Sequence, residues 1–216
     1  MNDYYKKRAP YYDRVYEYPE RADDIAFLKS TLPPRFSNID VLEVAAGTGY
    51  WTQFICRKAR SVLATDIAQE PLDELASRNL PITVQTKIVD AYELASLERK
   101  FDGAFIGLLL SHIPQEKVEL FFRSLHSVLH PGAKVVLIDN TKAQCQKLPI
   151  TRTDEAGNSY QNRELDDGSI HEVVKNFPGK EDLTGYVKCA AVHSEYVELE
   201  HFWLFAYEYR GGHQSS

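Results

Sequence analysis

Short apolar runs, each ending on a polar or acidic residue and followed by a segment with apolar positions three and four apart, recur along the first two thirds of the chain. The runs predict strands at 41–44, 62–64, 82–89, 101–106 and 134–139. The segments between them predict helices. After the first strand, Trp51, Phe54 and Ile55 form one apolar face. After the second, Pro71 sits where an N-terminal helix proline belongs, ahead of Leu72, Leu75 and Ala76. After the fourth, Val118, Phe121, Phe122, Leu125, Val128 and Leu129 share a face, and Pro131-Gly132 reads as the turn into the fifth strand.

Five strand–helix alternations with short connections call for a doubly wound, Rossmann-like α/β sheet, mostly parallel, with helices on both faces. The aromatic, β-branched stretch at 196–209 adds two strands turning near Glu200-His201, which completes seven strands with an antiparallel C-terminal finish. Ahead of the sheet, Ala22, Ile25, Ala26 and Leu28 mark a covering helix, ended by Pro33-Pro34. Before it, tyrosines at 4, 5, 11, 12, 16 and 18 form an arm read either as packing onto the domain or as a lid; together 1–34 make a lid and covering helix. Between the fifth strand and a helix near 181–191, residues 140–180 lose the regular pattern and hold turn formers at 154–158 and 166–168. A loop of that length leaving the ligand edge is assigned as a substrate cap, with a mobile excursion as the other reading.

Composition narrows the picture. At 216 residues the chain fits a single domain spanning 1–216, and 44% hydrophobic residues suit a globular core. A net charge of −6 with scattered lysines and arginines does not favour nucleic acid or a membrane surface as partner. Cys56, Cys145 and Cys189 are far apart and show no metal spacing, so no metal is expected. The first residues lack a signal-peptide core and no apolar run reaches membrane-span length, which leads to the expectation of a cytoplasmic protein.

The chemistry concentrates at the carboxyl ends of the strands, where ligands bind in such sheets. Glu43 precedes a turn built on Gly47 and Gly49, Asp66 follows the second strand, Asp90 the third, Gly107 the fourth, and Asp139 ends the fifth. Glycines let a ligand approach the backbone, while an acid in front of them suits a positive centre and poorly suits a pyrophosphate.

Residues Glu43-Val44-Ala45-Ala46-Gly47-Thr48-Gly49, with the acids at the next two strand ends, resemble the first motifs of the class I S-adenosylmethionine (SAM) dependent methyltransferases, of the bacterial small-molecule type. Ala45 stands where the family usually has its first glycine. The resemblance implies that Glu43 and the backbone of Ala45, Gly47, Thr48 and Gly49 hold the methionine part of SAM. It further implies that Asp66 accepts from the ribose hydroxyls, Ile67 lies on the adenine, Asp90 and Ala91 meet the adenine amine, and Gly107 meets the methionine from strand four; on the lid reading of the arm, Tyr12, with Tyr5 and Arg8, closes over the methionine end. His112, five residues past Gly107, is the candidate base, with Ser111 as its companion; the other reading is that it caps the following helix or packs beneath the cap. His171 is a second candidate histidine, read as a solvated one.

A nicotinamide-dependent oxidoreductase would place a third glycine where Thr52 stands, and so fits less well. A non-catalytic SAM-binding protein stays open. Gly107-Leu108-Leu109-Leu110 lacks the Pro-Pro-aromatic motif of enzymes methylating amino groups of nucleic acids, so the acceptor is expected to be a small molecule with an oxygen, nitrogen or sulfur nucleophile.

Overall fold

The computed structural model describes residues 9–165 and 167–212, with the backbone alone for 9–12. Seven strands form one sheet in the order β3-β2-β1-β4-β5-β10-β9: β1 (Asp40–Val44), β2 (Ser61–Asp66), β3 (Val84–Ile88), β4 (Phe101–Gly107), β5 (Leu129–Asn140), β9 (Ala191–Glu198) and β10 (Phe202–Tyr209). β1 to β5 pair in parallel, and β10 alone runs against them, between β5 and β9. The doubly wound sheet and its antiparallel finish are therefore as the sequence pattern predicts.

The central strands are apolar on both faces because both are covered. Leu42, Val44, Val135, Leu137 and Phe205 pack with Phe121, Phe122 and Leu125 of α4 (Val118–Ser127) and Leu183 of α5 (Lys180–Val187). The alternate positions Val41, Val136, Ile138 and Leu204 pack with Ile25, Leu28 and Leu32 of α1 (Ala22–Arg35) and Ile55 of α2 (Thr52–Ile55). The strand period of two thus sorts neighbouring residues into two cores. Helix α3 (Gln69–Ala76) lays Leu72 and Leu75 on Ala64.

Several expectations are corrected. Pro33 and Pro34 do not end the covering helix but lie inside its last turn, where Phe36 donates to the Pro33 carbonyl at 3.2 Å and is itself fully buried. Burial of Leu32, Pro33 and Phe36 outweighs the lost backbone donors. Pro131-Gly132 is not a turn ahead of β5 but an irregularity within it: Phe101 pairs with Leu129 and Gly103 with Lys134, and Gly132 takes φ +84°. Residues 140–180 are not irregular: β6 (Arg152–Thr153), β7 (Ser159–Glu164) and β8 (Ile170–Val174) form a second, antiparallel sheet. Among the described residues no helix is long and apolar enough to cross a membrane, and no group of His, Cys, Asp or Glu is arranged to hold a metal ion.

Candidate active site

The sheet order reverses between β1 and β4, and the turn after β1 opens at that switch point. Ala45, Gly47 and Gly49 all take positive φ, +54°, +56° and +76°. Ala45 holds a conformation costly for a residue with a Cβ, so the surrounding structure must impose it: Ala46 donates to the Thr65 carbonyl at 2.8 Å and Gly49 to the Ala46 carbonyl at 3.0 Å. At Gly49 a Cβ would sit 2.5 Å from Leu75 Cγ. Gly49→Ala is accordingly expected to cost about 2 kcal/mol of stability from strain and overpacking together, read as a lower urea midpoint.

Three carboxylates line the cavity beside this turn. Glu43 is buried, and among the described residues its Oε2 has no hydrogen-bond partner. Burial pushes its carboxyl up from the ordinary 4.5 to about 8. A buried carboxylate without a counter-ion is costly, and it suits a ligand that brings a positive charge. Asp66 accepts from Gly47 N at 3.0 Å and Ala68 N at 3.2 Å, which orients it at the cavity wall, and burial raises its pKa. Asp90 accepts from Tyr92 N at 2.9 Å, with Ile67 and Ala91 on the same wall. Thr52, where a dinucleotide turn would have its third glycine, is fully buried.

Sequence reasoning did not find what ties the N-terminal arm down. The 3-10 segment Ala9–Tyr16 is latched by Asp13, which accepts from Thr48 Oγ1 at 2.7 Å and pairs with Arg78; Arg78 also donates to the Thr48 carbonyl. Tyr16 stacks on Tyr50 at 3.9 Å between ring centroids and meets Trp51 edge-on, and with Val15 it lines the cavity. Tyr5 and Arg8 lie outside the described residues, as does the side chain of Tyr12.

On the β4–β5 side, Gly107, Leu108 and His112 line the cavity, Leu108 with φ +55°. His112 Nδ1 lies 2.7 Å from the Val174 carbonyl. A carbonyl only accepts, so Nδ1 carries the proton and Nε2 is the basic nitrogen of the neutral ring. Ser111 is fully buried and its hydroxyl accepts from Lys175 Nζ at 2.6 Å, which makes it part of the wall's internal network. His171 sits on β8 with Nε2 2.9 Å from Ser169 Oγ and is not among the residues that line the cavity. Asn140, Gln144, Arg163 and Lys175 do line it, and none was singled out from sequence. Asn140 carried one signal, since it follows Asp139 directly at the ligand edge; the other three sit in the stretch whose hydropathy pattern was unreadable.

A doubly wound sheet with this acid-and-glycine turn at its switch point and acids at the next two strand ends is the arrangement that the resemblance to class I SAM-dependent methyltransferases implies. Residues 41–132 match the family model described as a methyltransferase domain. The solved DhpI–SAH complex is 26% identical, covers 98% of this chain and 95% of that one, and superposes with a TM-score of 0.77; the DhpI–SAM–HEP complex is 26% identical with 94% of each chain covered and a TM-score of 0.75. Phosphoethanolamine N-methyltransferase 1 of Caenorhabditis elegans is 28% identical over 121 residues, 53% of this chain, and the match takes in only 24% of that longer protein.

Proposed function

We propose that this chain transfers the methyl group of SAM to a small-molecule acceptor by in-line displacement. The observation that carries the proposal is one cavity of about 350 Å³ that joins the buried Glu43 carboxylate, whose Oε2 has no hydrogen-bond partner among the described residues, the Asp66 and Asp90 edge and the His112 ring. When bound, SAM supplies a methyl group activated on a sulfonium. Glu43 and the backbone from Ala45 to Gly49 hold its methionine part. Asp66 accepts from the ribose hydroxyls, Ile67 covers the adenine, and Asp90 with Ala91 meets its amine. Gly107 leaves room for the methionine from β4.

The remaining residues exclude water and align the acceptor. Tyr16 and Val15 close the cavity from the arm, in keeping with a lid role for 1–34, and the three-stranded sheet within 140–180 walls the opposite side as a substrate cap. His112 takes the proton from the acceptor. The worm relative, named for phosphoethanolamine, supports an acceptor of small-molecule size. Calorimetry showing SAM binding without NADH binding, followed by labelled methyl transfer to a small acceptor, tests the reading; NADH binding without SAM binding would overturn it.

Glu43 gives this test a pH signature. Its carboxyl titrates near 8 in the free protein, and a bound cation draws it into the charged form. Binding below pH 8 therefore releases a proton, and SAM affinity is expected to rise by up to about tenfold per pH unit between about pH 5.5 and 7.5. Calorimetry in two buffers of different ionisation enthalpy reads the proton directly. Glu43→Gln is expected to abolish the release and to weaken SAM binding about 30- to 100-fold.

A further inference from the structure

Two buried amides at the β5 end of the cavity have hydrogen-bonding capacity that none of the described residues uses. Asn140 is 2% exposed and Gln144 8%, and both line the cavity. Their orientations are fixed by a chain of bonds. Lys175 Nζ donates to Asn140 Oδ1 at 3.0 Å, and Gln144 Nε2 donates to the same oxygen at 3.0 Å. Lysine only donates, so that atom of Asn140 must be the carbonyl oxygen, and the Gln144 nitrogen is assigned with it. Asn140 Nδ2 is left as a donor and Gln144 Oε1 as an acceptor, each buried without a partner. Such groups are costly unless a ligand satisfies them.

The charge around the pair is one-sided. Arg163 lines the same end, where Lys175 is already paired with buried Asp139 at 3.1 Å, and among the described residues the acids lining the cavity are Glu43, Asp66 and Asp90, all contributed by the β1-to-β3 side. At about 4.8 Å per strand, three strand spacings put β2 and β5 about 14 Å apart. The amide pair therefore lies beyond the part of the cavity assigned to SAM, where an acceptor belongs.

We infer that Asn140 and Gln144 recognise the methyl acceptor, and that the acceptor is a small acid carrying a hydroxyl or amine close to its oxyanion. The oxyanion takes the Asn140 Nδ2 donor on the side of the cavity lined by the Arg163 guanidinium. The neighbouring hydroxyl or amine donates to Gln144 Oε1. Carboxylate, phosphate and phosphonate share this chemistry. The inference rests on the methyltransferase reading and adds the class of acceptor to it.

The test uses the full chain saturated with S-adenosylhomocysteine, so that binding is read without turnover. Probes are small hydroxy and amino carboxylates, phosphate monoesters and phosphonates, each beside its neutral amide or ester, followed by calorimetry and then by labelled methyl transfer from SAM. Acids are expected to bind at least about tenfold tighter than their neutral analogues, and the arm that binds distinguishes carboxylate from phosphorus acids. Asn140→Asp keeps the shape and the oxygen that Lys175 and Gln144 use but replaces the donor with a like charge. It is expected to weaken acid binding at least about tenfold with the affinity for S-adenosylhomocysteine changed less than about twofold. Gln144→Met is expected to erase the preference for a hydroxy acid over its O-methyl ether. Neutral analogues binding as well as the acids, no probe binding at all, or an Asn140→Asp protein that binds acids like the parent would overturn the inference and leave the methyltransferase reading standing. Failure of S-adenosylhomocysteine and SAM to bind would overturn that reading and the inference together.

Discussion

Replacing His112 with asparagine is expected to lower kcat on a hydroxyl or amine acceptor by about 100-fold or more, with SAM affinity unchanged within about twofold, because the variant deletes a base while keeping the contact with Val174. The choice of asparagine follows from the geometry. The ring's Nδ1 holds the Val174 carbonyl at 2.7 Å, and an asparagine amide donates from nearly the same place, so the contact between the β4 loop and β8 survives. What disappears is the ring's second nitrogen, on a residue that lines the cavity. In-line displacement at a sulfonium by a neutral hydroxyl or amine must shed a proton, and a positioned base is worth about 100- to 10,000-fold. A nucleophile that enters as an oxyanion needs no such base. Single-turnover rates with the acceptor identified by labelled methyl transfer decide the matter, and full turnover by the variant on a hydroxyl or amine acceptor would remove the base role.

The donor half of this site is legible in the sequence for a physical reason. The central parallel strands β1 and β2, covered on both faces, are short apolar runs, and an acid at or just past the carboxyl end of each of β1, β2 and β3 marks where the chain leaves the sheet for the ligand edge. Glu43, Asp66 and Asp90 stand out for that reason, and all three line the cavity. The proline errors have an equally local cause. Pro33-Pro34 and Pro131-Gly132 are breakers by propensity, yet the first pair is carried through a helix end by the burial of Phe36 and the second is absorbed as an irregularity next to Phe101.

The second sheet was unreadable because its hydropathy is inverted. In β7, Ser159–Glu164, the inward positions are Gln161 and Arg163, both buried, and the chain past β8 buries Lys175 and Asn176. The period of two is present, but polar side chains occupy the positions where an apolar residue would announce a strand. A sheet that walls a polar cavity hides itself from a search for apolar periodicity. Nothing local in the sequence marks the Asp13 latch, because Thr48 and Arg78 reach it across long separations along the chain.

Lys175 carries the largest expected effect on stability, and its role separates holding the site from doing its chemistry. The ammonium is 1% exposed and Asp139 is fully buried; they lie 3.1 Å apart, and Nζ also serves Ser111 Oγ and Asn140 Oδ1. All three of its protons are thus committed inside the protein. Lys175→Met would leave Asp139 with the Ser111 and Asn140 backbone donors, at 2.9 and 2.8 Å, but without a counter-charge. Breaking a buried pair from one side costs about 3–5 kcal/mol, and the surviving donors favour the lower end, about 3 kcal/mol, read as a drop in the urea midpoint at constant slope. Adding Asp139→Asn removes the stranded charge, so the double variant is expected to recover more than half of the loss, a coupling that only a direct pair interaction produces. Lys175→Met alone costing less than about 1 kcal/mol would show that the pair is not held as charges. The double variant also isolates the amide geometry. With the lysine gone, nothing fixes the Asn140 oxygen except Gln144, and the acceptor subsite should lose selectivity for acids even though the fold is restored and Glu43 still binds SAM.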